Sequence, residues 1–168
     1  MTTIVGVETK NGFTIAADSQ TTEGERAWIS KDTKKITEVG EYVIAGAGVS
    51  NLCDVALYGW QPPEYDGTDL YTFMVSVFIP ALRGLHTDVP KETDGASFLV
   101  GINSKLFYIG EDYAVLRTNT GLYGIGSGAN WAIGAIMAGA TIKEAMKIAV
   151  KLDINSSAPI QIVKRGTL

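Results

Sequence analysis

Thr2 and Asp18 are the first residues of this chain whose types and spacing could do chemistry. The sequence opens Met1-Thr2-Thr3-Ile4-Val5-Gly6-Val7, and Asp18 follows in Ile15-Ala16-Ala17-Asp18-Ser19. Removal of Met1 would leave a threonine that carries a hydroxyl nucleophile and a free amine on one backbone unit. An α-amine titrates near pH ~8, so part of it can act as a base at neutral pH. Such a residue is a self-contained nucleophile and base. Taken alone, Met-Thr-Thr is most simply the start of an edge strand, because matches this short are common by chance. A lysine beside Thr2 would hold the amine's pKa down and polarise the hydroxyl. Period-two alternation puts Thr33, Lys35 and Thr37 on one strand face and Lys34 and Ile36 on the other. The Thr-Lys-Thr face suits a polar cleft and Ile36 suits a core, although two solvated lysines on an edge strand is the plainer expectation without Thr2. Asp18 would pair with that lysine, since a buried carboxylate needs a partner. Asp-Ser is also an ordinary turn starter.

Composition narrows the class. At 168 residues the chain is expected to form one domain, residues 1–168. It is 46% hydrophobic and 19% charged, enough apolar material for a core, and the mean hydropathy of +0.13 hints at subunit interfaces. No run reaches the ~18 apolar residues that span a bilayer. No basic-then-apolar leader is visible, and the lone Cys53 fits a reducing compartment, so a cytoplasmic location is expected. With one histidine, His86, and one cysteine, a zinc site or a Ser-His-Asp triad is nearly excluded, and no metal or cofactor is expected. Net charge −4 argues against a nucleic-acid binder.

The elements that must position these residues are legible in outline. Thr3 to Glu8 and Phe13 to Ala17 read as strands joined across Lys10-Asn11-Gly12. Thr33 to Val39 and Tyr42 to Ala47 read as a hairpin across Gly40-Glu41, and Glu23 to Trp28 as a turn. A helix follows from Ser50 to Leu57 and ends before Pro62-Pro63. A second spans Asp69 to Leu85, with Pro80 as a kink. Strands are expected at Ala96 to Ile102, Lys105 to Ile109, Tyr113 to Arg117 and Gly121 to Ile125. The last leads through Gly126-Ser127-Gly128 into an Ala/Gly-rich helix. Thr141-Ile142-Lys143-Glu144 is a capping box that opens a final helix, and Ala158 to Val163 is a final strand. This order suggests α+β layers, with two packed sheets inside and helices outside.

Six segments carry a resemblance: Thr2-Thr3-Ile4-Val5-Gly6, Ile15-Ala16-Ala17-Asp18-Ser19, Lys34-Lys35-Ile36, Val43-Ile44-Ala45-Gly46, Gly126-Ser127-Gly128 and Asp153-Ile154-Asn155-Ser156. In this order the chain resembles β-type proteasome subunits and the peptidase of the bacterial two-component ATP-dependent protease, both N-terminal nucleophile hydrolases. The resemblance implies a four-layer αββα sandwich and a threonine endopeptidase with Thr2 as nucleophile. By position it implies Asp18 and Lys35 as catalytic partners, with Lys34 the fallback. It implies Ser127 as a partner of the amine, supported by Asp153 and Ser156. It implies Gly46 as the oxyanion donor, with Gly48 as the alternative, because a glycine offers an unhindered N–H. Substrate-binding residues carried over are Thr22, Thr33, Thr37, Ile44 and Gly48. None is charged, so cleavage after hydrophobic residues is expected. The family context also implies protein or peptide substrates, homo-oligomeric stacked rings and an ATP-dependent unfoldase as a possible partner. Alternatives are an amidase acting on a small amide and a catalytically silent ring subunit. Gly124-Ile125-Gly126-Ser127-Gly128-Ala129 also fits a dinucleotide fingerprint. That fingerprint belongs near the start of a βαβ unit, whereas here it lies close to the end of the chain.

Overall fold

The computed structural model describes residues 1–30, 32–87 and 95–166. Strands β1 (Ile4–Thr9) and β2 (Gly12–Ala17) form a hairpin in which Thr9 faces Gly12 across a two-residue turn. β3 (Gln20–Glu23) and β4 (Arg26–Ile29) form a second hairpin, and β5 (Ile36–Val39) and β6 (Tyr42–Gly48) a third. Helix α1 (Ser50–Tyr58) follows directly. A longer helical run consists of α2 (Leu70–Phe73), a π-wound stretch (Met74–Phe78) and α3 (Ile79–His86). Then come β7 (Ala96–Ile102), β8 (Lys105–Ile109), β9 (Val115–Leu116) and β10 (Leu122–Ile125). The chain continues through α4 (Ala129–Met137) and α5 (Ile142–Leu152) to β11 (Gln161–Gly166).

Two sheets organise these elements, in the orders β10-β1-β2-β11 and β5-β6-β7-β8-β9. Ile4, Phe13, Ile15, Leu99, Leu106 and Tyr123 fill the space between them. The outer face of the five-stranded sheet buries Ile44, Phe98, Val100 and Phe107 against Phe73, Phe78 and Leu82 of the helical run and against α1. The outer face of the four-stranded sheet buries Val5 and Ala16 against Ala132, Ala145, Met146 and Ala149 of α4 and α5. The result is the four-layer αββα sandwich of the N-terminal nucleophile hydrolase type. Each large apolar side chain fully withdrawn from water contributes about 1.5–3 kcal/mol. No helix among the described residues is long and apolar enough to cross a membrane.

Several boundaries differ from the sequence reading, each for a local reason. β3 and β4 lie where a turn was expected; β4 is exposed throughout, so no apolar alternation marks it. β5 starts at Ile36 rather than Thr33, because Thr33 and Lys34 have no ladder partner in the β5–β6 register. The last strand starts at Gln161, beyond Pro159, which has no N–H to give a ladder. Pro80 follows a π-wound stretch instead of making a simple kink: it cannot donate to the preceding turn, and the wider winding absorbs the missing bond. The capping box at Thr141 is complete, with Thr141 and Glu144 each bonding the other's backbone N–H.

Candidate active site

The end of β2, the lead into β5 and the start of β1 converge at one point. Lys35 Nζ donates to Thr2 Oγ1 at 2.8 Å and to Asp18 Oδ1 at 2.7 Å. A third donation goes to the Gln20 carbonyl. Asp18 is fully buried, so its charge needs compensation on every side. It accepts the Thr3 N–H at 2.9 Å, the Gln20 N–H at 2.8 Å and the Ser157 N–H at 3.1 Å, besides the ammonium. Burial pushes the Lys35 ammonium below the ordinary lysine range, and Asp18 only partly restores it. Lys34, the fallback, makes no hydrogen bond to Thr2 or Asp18 among the described residues: its backbone exchanges hydrogen bonds with the Tyr58 hydroxyl and its side chain is exposed.

A second network lies on the other side of Thr2. Asp153 Oδ2 accepts from Ser127 Oγ at 2.8 Å and from Ser156 Oγ at 2.5 Å. Ser156 Oγ also bonds Thr3 Oγ1 at 2.7 Å. Burial alone would raise the Asp153 carboxyl; the hydroxyls of Ser156 and Ser127 and the Asn155 N–H outweigh it and hold the group below the usual carboxylate range. Gly128 opens α4 within this network. A Cβ there would stand 1.8 Å from Thr3 Oγ1, so only glycine fits. The chemistry-bearing atoms nearest Gly126-Ser127-Gly128 are thus Thr2, Thr3 and Asp153. The run packs against these three residues.

A cavity of about 290 Å³ opens beside Thr2 and Lys35. Of the substrate-binding residues expected from sequence, Thr22, Thr33 and Gly48 line it. Thr37 and Ile44 do not. Thr37 Oγ1 is turned to the Leu57 carbonyl at 3.1 Å, and Ile44 is buried in the core under α1. The expectation of an uncharged wall is corrected as well, because Lys34 and Asp54 both stand on it. Sequence reasoning missed Trp28, Cys53, Asp54 and Leu57. A signal for three of them was available: α1 begins two residues after Gly48, so its first turns must overhang the strand end, and Cys53 and Leu57 at i, i+4 share a face. Burial raises the Cys53 thiol to about 12, so it is a neutral wall residue and not a competing nucleophile.

The two glycines of β6 are not equivalent. The Gly46 N–H donates to the Lys35 carbonyl at 3.2 Å, as part of the sheet. The Val49 N–H donates to the Gly95 carbonyl across the other edge of β6. By strand alternation the Gly48 N–H points to the same side as that of Gly46, beyond the end of β5. Gly48 has φ +127, and a Cβ there would stand 2.4 Å from the Gly95 carbonyl oxygen, so no other residue can take this place.

Comparison with known proteins bears on the fold. Residues 1–51 match the Proteasome subunit family. No curated protein matches the chain. Among solved structures, BPH of Thiobacillus denitrificans in complex with epoxomicin superposes with a TM-score of 0.79 at 19% identity, covering 98% of each chain. Eukaryotic HslV from Trypanosoma brucei gives 0.72 at 20% identity, over 98% of this chain and 99% of that one. A Gly-1 mutant of Anbu from Hyphomicrobium sp. strain MC1 gives 0.72 at 16%, over 99% and 82%. At such identities the likeness is one of fold. The protein has the fold of these proteasome-type structures, matched over 98–99% of the chain. The resemblance to β-type proteasome subunits read from the sequence holds at that level, with a direct sequence match over the first 51 residues.

Proposed function

We propose that this chain is the threonine peptidase subunit of a self-compartmentalising ring protease. One observation carries the reading: Lys35 Nζ bridges Thr2 Oγ1 and the buried Asp18 carboxylate, at 2.8 and 2.7 Å. Cleavage of the Met1–Thr2 bond frees the Thr2 amine. The neutral amine takes the hydroxyl proton, and Oγ1 attacks the substrate's carbonyl carbon. Lys35 stabilises the developing alkoxide, and Asp18 orients Lys35. The Gly48 N–H, the one left unused by the sheet, serves the oxyanion; Gly46, the donor first expected, is occupied by Lys35. When the C–N bond breaks, the ammonium of Thr2 returns its proton to the leaving amine. Water then hydrolyses the Thr2 ester, and the amine takes a proton from it. Ser127, held by Asp153, hydrogen-bonds the amine.

The substrate is an unfolded protein or a peptide. Trp28, Cys53 and Leu57 on the first cavity favour an apolar side chain ahead of the cut bond, and the opposite charges of Lys34 and Asp54 offset one another. An assembled catalytic group argues against a silent ring subunit. Assembly into homo-oligomeric stacked rings, a cytoplasmic location and an ATP-dependent unfoldase as partner belong to the same reading. The test is turnover of fluorogenic peptides by the wild type and by Thr2→Ala, with the intact mass of each. The wild type is expected to lack Met1 and to cut, and Thr2→Ala to assemble but not cut. Undiminished turnover by Thr2→Ala sinks the assignment. Epoxomicin, which accompanies BPH, is expected to block wild-type turnover.

A further inference from the structure

A second cavity of about 370 Å³ meets the first at Thr2. The two share Met1, Thr2, Ala47 and Gly48, so they adjoin at the nucleophile. Lys35 lies only on the first and Ser127 only on the second. This division has a chemical direction. Lys35 flanks the attacking hydroxyl, whereas Ser127 and its Asp153 partner lie toward the backbone of Thr2, where the amine that must protonate the leaving group is formed. In the peptidase reading this division assigns the leaving half of the substrate to the second cavity.

Among the described residues Glu111 is the only ionisable side chain on that cavity's wall. Its stem is held against the chain: a Cβ on Gly95 would stand 2.8 Å from Glu111 Cβ. Among the described residues it has no ion-pair partner. The neighbouring Asp112 is turned back on its own loop, accepting the Ala114 N–H at 3.0 Å. We propose that this cavity is the subsite for the residue just after the cut bond, and that Glu111 selects a basic side chain there and disfavours an acidic one. This inference rests on the peptidase reading and extends it to the leaving-group side.

Two internally quenched peptides that differ only in the residue after the cut bond, Arg or Glu, test the proposal. Glu111 is exposed, so its influence is screened; attraction for one peptide and repulsion of the other together predict a kcat/KM ratio of about five in favour of Arg. Glu111→Gln should bring the ratio close to one, and Glu111→Lys should invert it. A ratio near one in an active wild type, or no inversion by Glu111→Lys, overturns the subsite. Binding of the tripeptides Arg-Ala-Leu and Glu-Ala-Leu, followed by NMR shifts of the full chain, reads the same cavity without turnover. Tighter binding of Arg-Ala-Leu, lost in Glu111→Gln, supports the subsite, and equal binding overturns it. Absence of turnover with every peptide would instead remove the peptidase reading, with the tripeptides still deciding the role of Glu111.

Discussion

Lys35 touches the threonine hydroxyl and is, among the described residues, the only counter-charge paired with Asp18, so its loss has two consequences. Lys35→Ala should lower kcat/KM by about a thousand-fold or more, as expected when one member of a cooperating group is removed. It should also destabilise the fold by about 3–5 kcal/mol, because Asp18 would be left buried and uncompensated. Lys34→Ala should change either quantity little, since that side chain is exposed. Measured rates and chemical-denaturation midpoints of the two variants decide the register. The depressed Lys35 value also fixes a sign. Between that value and the ordinary lysine range the unfolded chain binds more protons, so stability gained from this group rises with pH across that window. Asp153 works in the opposite range. Its carboxyl is held low, so its contribution is present above the ordinary carboxylate value and is lost as pH falls through the folded value. Ser156→Ala removes a donor to Asp153 and should move the acid limb of the stability curve to higher pH. An unmoved acid limb would mean that Ser156 does not hold that carboxylate.

The element that joins β10 to α4 shows how backbone geometry serves a site without contributing chemistry. Gly128 carries no reactive group, yet a Cβ on it would meet Thr3 Oγ1 at 1.8 Å and Asp153 Oδ2 at 2.9 Å. Gly128→Ala should cost about 1–3 kcal/mol through overpacking and displace the Thr3–Ser156–Asp153 network, with a matching fall in kcat. Thr141→Ala provides the contrast. It breaks the capping box of α5, on the helical layer away from Thr2, and should cost about 1 kcal/mol in stability. Its kcat/KM should stay at the wild-type level. Thermal melts and rates for both variants separate an element that positions the site from one that only supports the layer.

At the scale of the whole molecule, the described surface leaves large apolar residues uncovered next to the α4–α5 layer. Trp131, Met137 and Ile154 are 52%, 75% and 90% exposed. Isolated exposed apolar residues are ordinary, but several along one layer mark a contact surface. In the ring reading a second copy of the chain covers them. Native mass is expected at a multiple of 17.9 kDa, and Trp131→Glu or Ile154→Glu should shift it downward. A wild-type monomer that still cuts small amides would favour the amidase alternative.

The sequence by itself determined the local elements and the order of the layers. Turn chemistry at Lys10-Asn11-Gly12 and Gly40-Glu41, the capping box at Thr141 and the apolar periodicity of β1, β2 and β7 are short-range signals, and each depends on neighbours within about one turn or one hairpin. That Lys35 lies beside Thr2 and Asp18 was suggested by the resemblance at Lys34-Lys35-Ile36, with slight help from the alternation that sets Ile36 into the core. Tertiary structure alone decided which glycine N–H stays free, because the fate of Gly46 depends on where β5 begins to pair with β6. It alone turned Thr37 and Ile44 away from the cleft and brought Trp28 onto its wall, since the β3–β4 hairpin reaches that space only when the layers pack. It alone set Glu111 on one cavity wall with Thr2, more than a hundred residues away in the chain. Such contacts arise from the closing of two sheets on each other, and no pattern local to either segment encodes them.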